Sequence, residues 1–529
     1  MNILILGSNE RSVLTFIRSL NKNLYNKLFI CRNSKNKNVS CFSKFIESSN
    51  YVSLQNVDIA FHHLIRIIEK HSIEALIIFD DAFASLVYDN YEKIGNHCRI
   101  IGPSKQSWEK AVDKYNIRKL CDGKSLHYPE TKLLQKKSFD KNLDDYVYLK
   151  PRFSSVIYDK KIERLSVLNE NNEDRKRDFI SDHINKVDIV CQKKIEGQII
   201  GLNLLAKKGE ILSLSGNKRL HQPRGGGGSS YRESFKPDNT VIEICHQISR
   251  ELKWDGVMMI ELLKTESKYF LIEINPRFWG SLSLTVFSGH DICNNLIKSQ
   301  QNKSLLKDKY KNVRTRHLAK DIAWITQNYS FRNLANLIAS PLQIILKKEK
   351  WDVESLTDPM PMFVQPFLIL KKLFYKKHFV EKIAALLPTY RKVIKYFDKK
   401  NYYIFMCKGN INRSVFCEYY LHSKGYKNVS SCGYLNITGR KISPNTRKLI
   451  NESEIVTKHK SRYIDNFDND ENIIVAMDNI SYEIAKRKKF KNVYLISKKG
   501  INDPHGKAEI FFQNMKREII NEFCKKDYR

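Results

Sequence analysis

The segment CKGNINRS places Cys407 and Arg413 with five residues between them, and Ser414 next, between a short apolar run (YYIFM) and a helical pattern. A loop closing between a strand and a helix N-terminus turns its backbone N–H groups inward, where they can hold a phosphate. Arg413 adds a planar two-pronged donor to the same oxygens. The Ser414 hydroxyl and the loop dipoles aim donors at the Cys407 sulfur, as a nucleophile requires. Further on, INDPHGKAEIF offers Asp503 before a helix. A carboxylic acid there can protonate a leaving alkoxide or phenoxide and then activate water against a phosphocysteine. Cys-x5-Arg alone is a weak signal; with Ser414 and Asp503-Pro504 it describes phosphomonoester hydrolysis.

A second set lies upstream. The strand patterns GVMMIELL and YFLIEINPRFWGS carry Glu261 on the first and Glu273 and Asn275 on one face of the second, by period-two spacing. Two carboxylates and an amide oxygen between neighbouring strands are hard ligands suited to Mg²⁺ bridging the phosphates of ATP. A buried structural ion pair is the plain alternative. Lys150, at the end of the strand YVYLKP, points one positive charge at a solvent-facing cleft, which by itself says little.

Residues 401–529 resemble the low-molecular-weight protein tyrosine phosphatase family through MCKGNINRS, the SCG at 431–433, HKSR at 459–462, IIVAMD at 473–478 and NDPHGKAEIF at 502–511. The resemblance implies Cys407 as nucleophile, Arg413 as transition-state clamp, Asn410 and Ser414 as loop organisers and Asp503 as general acid. Asn412 stands where many members carry a second cysteine, and His505 replaces the usual tyrosine, so the substrate is open between a phosphorylated protein and a phosphorylated metabolite. The stretch 477–489 has no cysteine, unlike related arsenate reductases.

Residues 1–300 resemble the ATP-grasp superfamily, in the branch like biotin carboxylase and carbamoyl-phosphate synthase. The carrying motifs are DKYNIRKLC (113–121), YVYLKPRFSS, CQKKIEG and EINPRFWGS. The resemblance implies Lys114 and Lys150 on the phosphates of ATP, adenine near Gln192, Lys193 and Ile195, and Mg²⁺ on Glu261, Glu273 and Asn275. Arg277 would face an acyl phosphate or a substrate carboxylate. The implied reaction activates a small-molecule carboxylate for attack by an amine or similar nucleophile. Two positions depart from the family: Ile199 stands where an acid usually meets the ribose, and Lys193 replaces a frequent hinge glutamate. The segment NKRLHQPRGGGGSSYRES reads as a substrate lid or as a plain linker.

The elements that must position these residues read as α/β. Asn2–Leu6 and Ala75–Phe79 have strand length, and Val57–Lys70 has helical spacing between them, which is βαβ grammar and a parallel sheet. A helix is expected over Ala111–Leu120. The expected order is a pre-ATP-grasp α/β domain (1–110), an ATP-grasp domain (111–300), a basic helical extension (301–398) and a phosphatase α/β domain with a central parallel sheet (399–529). Residues 301–400 hold 21 Lys and Arg against 8 acids, with no strand alternation. Within them FVQPFLILKKLFYKKHF is basic and amphipathic: it suits peripheral contact with an anionic membrane, or more simply a helical appendage with a solvated lysine face.

Composition bounds the rest. At 529 residues, with 42% hydrophobic and 28% charged residues, the chain is that of a globular protein with several folding units. A net charge of +34 attracts anionic partners, yet the basic residues are dispersed and no nucleic-acid reader motif is present, so no specific nucleic acid is expected. Eleven cysteines without a Cys-x-x-Cys, and an N-terminus lacking a leader pattern, are read as reduced thiols in the cytoplasm. The expectation is a bifunctional enzyme. Its rivals are a phosphatase whose ATP-grasp half senses nucleotide, or one whose ATP-grasp half recruits substrate.

Overall fold

Ile3–Leu6 is apolar at every position and buried at every position, the condition of a central parallel strand covered on both faces. In this computed structural model it pairs in parallel with Leu28–Arg32 on one side and Ala75–Ile78 on the other. Ser48–Tyr51 and Arg99–Ile101 complete a five-stranded sheet. The helix Val57–Lys70 packs Val57, Ala60, Leu64, Ile67 and Ile68 inward and is capped by the Asn56 side chain, which accepts from Ile59 N. The structure describes residues 1–528 except 8–9, 137–144, 170–172, 223–227, 329, 375–380, 382–383, 386–389, 451–458, 468–471 and 506–508. The chain divides into two compact units, Met1–Leu368 and Ile369–Arg529.

Besides the two-stranded ribbon of Ser155–Tyr158 and Lys161–Arg164, two larger sheets follow among the described residues of the first unit. A small antiparallel one orders Leu168–Asn169, Tyr146–Pro151, Ile189–Lys193 and Thr131–Leu134. The large one has eight strands, centred on Glu210–His221, Gln198–Lys207, Gly256–Lys264 and Tyr269–Asn275. One face of the large sheet buries Leu202, Leu204, Ile260 and Leu262 against the helix Asn239–Glu251. Its other face meets the five-stranded sheet through Leu205 and Val257, with Phe79 stacked on Phe278 at 4.7 Å between centroids.

Two expectations need correction. The helix expected over Ala111–Leu120 is instead the end of a helix, Lys105–Val112, and a separate 3₁₀ turn, Asn116–Leu120. The break is at Asp113, whose carboxylate accepts from the backbone N–H of Tyr115 and Asn116 and holds Arg152 at 2.8 Å. The stretch 301–398 is also more than a helical extension. Arg314–Arg316 and Glu349–Trp351 add two strands to the large sheet beside Tyr231–Phe235. Part of its charge is turned inward: Arg316, fully buried, binds Asp321 and Glu349, and Arg232 binds Asp352 at 2.5 Å. Of the amphipathic stretch 363–379, the helix Met360–Phe374 is described and 375–379 lie outside the described residues.

The second unit is built on a four-stranded parallel sheet ordered Val429–Gly433, Tyr403–Cys407, Ile473–Ala476 and Asn492–Leu495. It also takes in residues before 399. Tyr396–Phe397 pairs in parallel with Asp527–Tyr528, Ile394 N donates to Leu495 O, and the buried Phe397 touches Tyr403, Phe405 and Phe523. A fragment starting at 399 is therefore expected to be about 3–5 kcal/mol less stable than one starting at 369, the cost of emptying a buried phenylalanine site. Urea titrations of the two fragments check this; coincident midpoints would contradict it.

Candidate active sites

At the C-terminal end of Tyr403–Cys407 the chain turns through a loop and enters the helix Arg413–Ser423. Asn410 makes the turn with φ of +54°, a left-handed conformation that asparagine tolerates better than most residues. Its side chain is tied on both ends. Asn410 Nδ2 donates to Ser414 Oγ (3.1 Å) and Ser431 Oγ (2.6 Å), and Oδ1 accepts from Arg462 N (2.8 Å). His459 Nε2 reaches the Asn410 carbonyl at 3.0 Å, and Ser431 passes the chain of bonds to Glu418 at 2.5 Å. Gly433 lies against this loop: a Cβ there would meet Asn410 N, Gly409 C and Lys408 O at 3.0 Å, so the SCG glycine leaves room for the turn.

Inside the loop Cys407 Sγ is 3.0 Å from Ser414 Oγ and accepts from Asn410 N at 3.3 Å. Arg413, 3% exposed, is held by Asp478 (2.6 Å), the Ile501 carbonyl (2.8 Å) and Asp503 (3.3 Å). Burial lowers its pKa, but Asp478, Cys407 and Asp503 outweigh this and raise it, so the guanidinium stays charged. Its Nε is buried with no hydrogen-bond partner. Cys407, Asn410, Arg413, Ser414 and Asp503 thus come together around one loop. Asp478, His459 and Glu418 join them, although the sequence did not single them out as site residues; their signal was the motifs ending in Asp478 and starting at His459.

The second site lies between the small and large sheets. Glu261 and Glu273 are directly opposed on neighbouring strands, and Asn275 Nδ2 donates to Glu273 Oε1 at 3.0 Å. Burial raises the pKa of Glu261, and Arg219 at 2.6 Å offsets only part of that. Burial acts on Glu273 too, but Lys114, Asn275 and Lys150 outweigh it and leave its pKa lowered. Lys150, from the small sheet, is buried, which brings it down to about 8 against the pull of Glu273. Lys114 donates to Ser154 Oγ at 2.7 Å and lines, with Glu273, Asn275, Phe153 and Trp108, a pocket that reaches Asp81.

The remaining expected residues are placed less simply. Gln192 is buried and donates to Thr131 Oγ1 at 3.2 Å. Lys193, at a strand irregularity, pairs with Glu130 at 2.8 Å, and Ile195 is half-buried in the connection to the next strand. Arg277 does not stand open to a substrate: Asp81 grips it at 2.6 and 3.0 Å, and Asn275 Oδ1 accepts from it at 3.2 Å. Burial lowers its pKa, and Asp81 more than reverses this. Asp81 and Arg219 were missed in the sequence because their partners lie 196 and 42 residues away. In the glycine-rich segment the flanking strands end at His221 and begin at Tyr231, and 223–227 lie outside the described residues. Among the described residues no group of three or more His, Cys, Asp or Glu is gathered for a metal, so any ion here would rest on the two glutamates and Asn275.

A parallel sheet with a phosphate-sized loop at its strand end, and paired carboxylates under a clamp of two sheets, define two enzyme-type α/β sites. Residues 403–526 match the family model for low molecular weight phosphotyrosine protein phosphatase, and residues 187–327 match that for an ATP-grasp in the biosynthetic pathway with Ter operon. The chain joins an ATP-grasp domain to a low-molecular-weight phosphatase domain. Among solved structures it is similar to biotin carboxylase from Campylobacter jejuni, at 15% identity and a TM-score of 0.46, over 59% of this chain and 74% of that one. It is also similar to N5-carboxyaminoimidazole synthetase from Staphylococcus aureus, at 13% identity and a TM-score of 0.43, over 62% and 85%. Rhizobium etli pyruvate carboxylase matches at 15% identity and a TM-score of 0.45 over 58% of this chain, which spans only 28% of that enzyme's length. No curated protein matches the chain.

Proposed function

We propose that the chain is a bifunctional enzyme: an ATP- and Mg²⁺-dependent ligase joining a small-molecule carboxylate to an amine through an acyl phosphate, and a phosphomonoesterase working through a phosphocysteine. The reading of the second half rests on one observation: Arg413, buried with an unpartnered Nε, beside Cys407 Sγ inside a ring of donors. Cys407 Sγ attacks phosphorus as the bond to the leaving oxygen breaks, while Arg413 and the loop N–H groups take the phosphoryl charge. Asp503 gives its proton to the leaving oxygen, then takes one from the water that attacks phosphorus and frees the sulfur. Asp478 orients the guanidinium. The substrate is a phosphorylated protein or metabolite.

For the first half, the supporting observation is the opposed pair Glu261 and Glu273 with Asn275, an all-oxygen set that fits Mg²⁺ and faces Lys150. These three residues would hold the ion, which when bound neutralises charge on the ATP phosphates. Lys114 and Lys150 bind the phosphates, and Gln192, Lys193 and Ile195 border the adenine. A substrate carboxylate oxygen attacks the γ-phosphorus and ADP leaves; the amine then attacks the acyl carbon and phosphate leaves. Arg277 meets that carboxylate only if the substrate displaces Asp81 from it. The Arg219–Glu261 ion pair favours the second reading, a nucleotide-sensing half without chemistry. The reading places the chain in the cytoplasm, which suits thiols buried singly at Cys31, Cys191, Cys245 and Cys293.

The test is one preparation assayed for ADP release with panels of acids and amines and for hydrolysis of p-nitrophenyl phosphate. Both activities are expected; either alone removes half of the proposal. Asp503→Asn is expected to slow alkyl phosphates by about 10²–10³ and p-nitrophenyl phosphate by less than about tenfold, because only poor leaving groups need the proton. Equal slowing of both would assign the general acid elsewhere.

A further inference from the structure

The first unit carries an apolar stripe that neither site uses. The helices Phe331–Ile338 and Ser340–Ile345 run on through Ala339, whose backbone stays helical at φ −74° and ψ −13°. Phe331, Ala335, Ile338, Leu342 and Ile345 follow one another at spacings of 4, 3, 4 and 3, which is one face of a helix. That face is turned outward. Phe331 is 82% exposed, Ile338 71%, Leu342 57% and Ile345 75%, with Leu346 alongside at 52%. A surface helix of a globular protein buries such a stripe, and an exposed one marks a contact surface.

The charges around the stripe select what it contacts. The acids between 331 and 358 are Glu349, Asp352, Glu354 and Asp358. Glu349 is spent on Arg316, Asp352 on Arg232, and Asp358 on Arg18, all three buried; Glu354 is half-buried. The cations Arg332, Lys347 and Lys348 are exposed. Within residues 331–358 the outer surface of this helix pair is therefore apolar with a cationic rim and no exposed acid. A second copy of the same surface would bring like charges together, whereas an anionic bilayer matches both the stripe and its rim.

We infer that the helix pair 331–345 lies in the interface of an anionic membrane, with Phe331, Ile338, Leu342 and Ile345 among the acyl chains and Lys347 and Lys348 at the headgroups. Among the described residues no helix is long and apolar enough to cross a membrane, so this contact lies in the surface plane. The test is co-sedimentation of the full chain with phosphatidylcholine vesicles, with and without about one third phosphatidylglycerol. The full chain should sediment with the anionic vesicles only. Ile338→Glu with Ile345→Glu should weaken that binding roughly tenfold or more, and Lys347→Glu with Lys348→Glu should weaken it too. Lys22→Glu with Lys124→Glu, the same charge change at exposed sites elsewhere, should not match them. Hydrolysis of p-nitrophenyl phosphate and an unchanged melting curve establish that each variant is folded. The inference is overturned by absence of binding to anionic vesicles, by equal loss in the Lys22/Lys124 variant, or by light scattering that shows a dimer which the Ile338/Ile345 variant dissociates.

Discussion

Cys407→Ser is expected to abolish hydrolysis of p-nitrophenyl phosphate, with a loss of roughly 10⁴-fold or more, the scale seen when a nucleophile is removed from a site that otherwise stays intact. The oxygen of serine is a far weaker nucleophile than sulfur, and the loop around it is organised by groups that the substitution leaves alone. Asn410 remains tied to Ser414, Ser431 and Arg462, and Arg413 remains held by Asp478. Binding of an oxyanion such as phosphate should therefore survive while turnover is lost. Steady-state kinetics reads the turnover, and calorimetric titration with inorganic phosphate reads the binding. Undiminished turnover would move the nucleophile elsewhere; loss of phosphate binding along with turnover would mean that the loop had collapsed. ADP release by the other half should be unchanged.

Glu273→Gln is expected to lower ATP-dependent ADP release by about 10³-fold or more, since the site works by stabilising charge in a buried place. The side chain keeps its shape, so what changes is one negative charge. Three effects converge on that charge. Lys114 and Lys150 are buried cations that Glu273 holds toward the charged state, and its loss leaves them less compensated. Asn275 loses a charged acceptor. Glu261 is left as the one carboxylate of the pair, and Arg219 already engages it. Hydrolysis of p-nitrophenyl phosphate should be untouched. ADP release measured across Mg²⁺ concentrations checks this; activity that persists near the original level would take Glu273 out of the metal set.

Sequence and structure agree best where function is written in contiguous residues. Cys407, Arg413 and Ser414 flank one loop, and a loop between a strand and a helix has few ways to close. Glu273 and Asn275 share a face by strand periodicity, and Glu261 is placed opposite by the adjoining strand. What stayed hidden were pairings between distant segments. Asp81 comes from the helix Asp81–Asp89 after the fourth strand of the first sheet, and nothing near it in sequence marks Arg277 as its partner. Arg219 reads as a basic strand residue until the antiparallel neighbours bring Glu261 to it. The strands Arg314–Arg316 and Glu349–Trp351 are three residues each and contain charged side chains, so no alternation identifies them. They are buried because Arg316 and Glu349 satisfy one another, a compensation visible only once both strands share a sheet. The apolar stripe at 331–345 holds one charged residue, Arg332, and is hidden when residues 301–400 are read together as a basic segment.

The central claim is that two chemistries share one chain, and the half that needs direct demonstration is the acyl phosphate. Incubating the chain carrying Cys407→Ser with Mg-ATP, a panel of carboxylic acids and hydroxylamine in place of the amine tests it, because hydroxylamine attacks an acyl phosphate and leaves a hydroxamate. A hydroxamate formed with one acid, equal in amount to the ADP released and absent in the variant that also carries Glu273→Gln, is the predicted result. No hydroxamate and no ADP above background with any acid, from a preparation that binds ATP and whose unmodified form hydrolyses p-nitrophenyl phosphate, would contradict it and leave a phosphatase with a nucleotide-sensing partner domain.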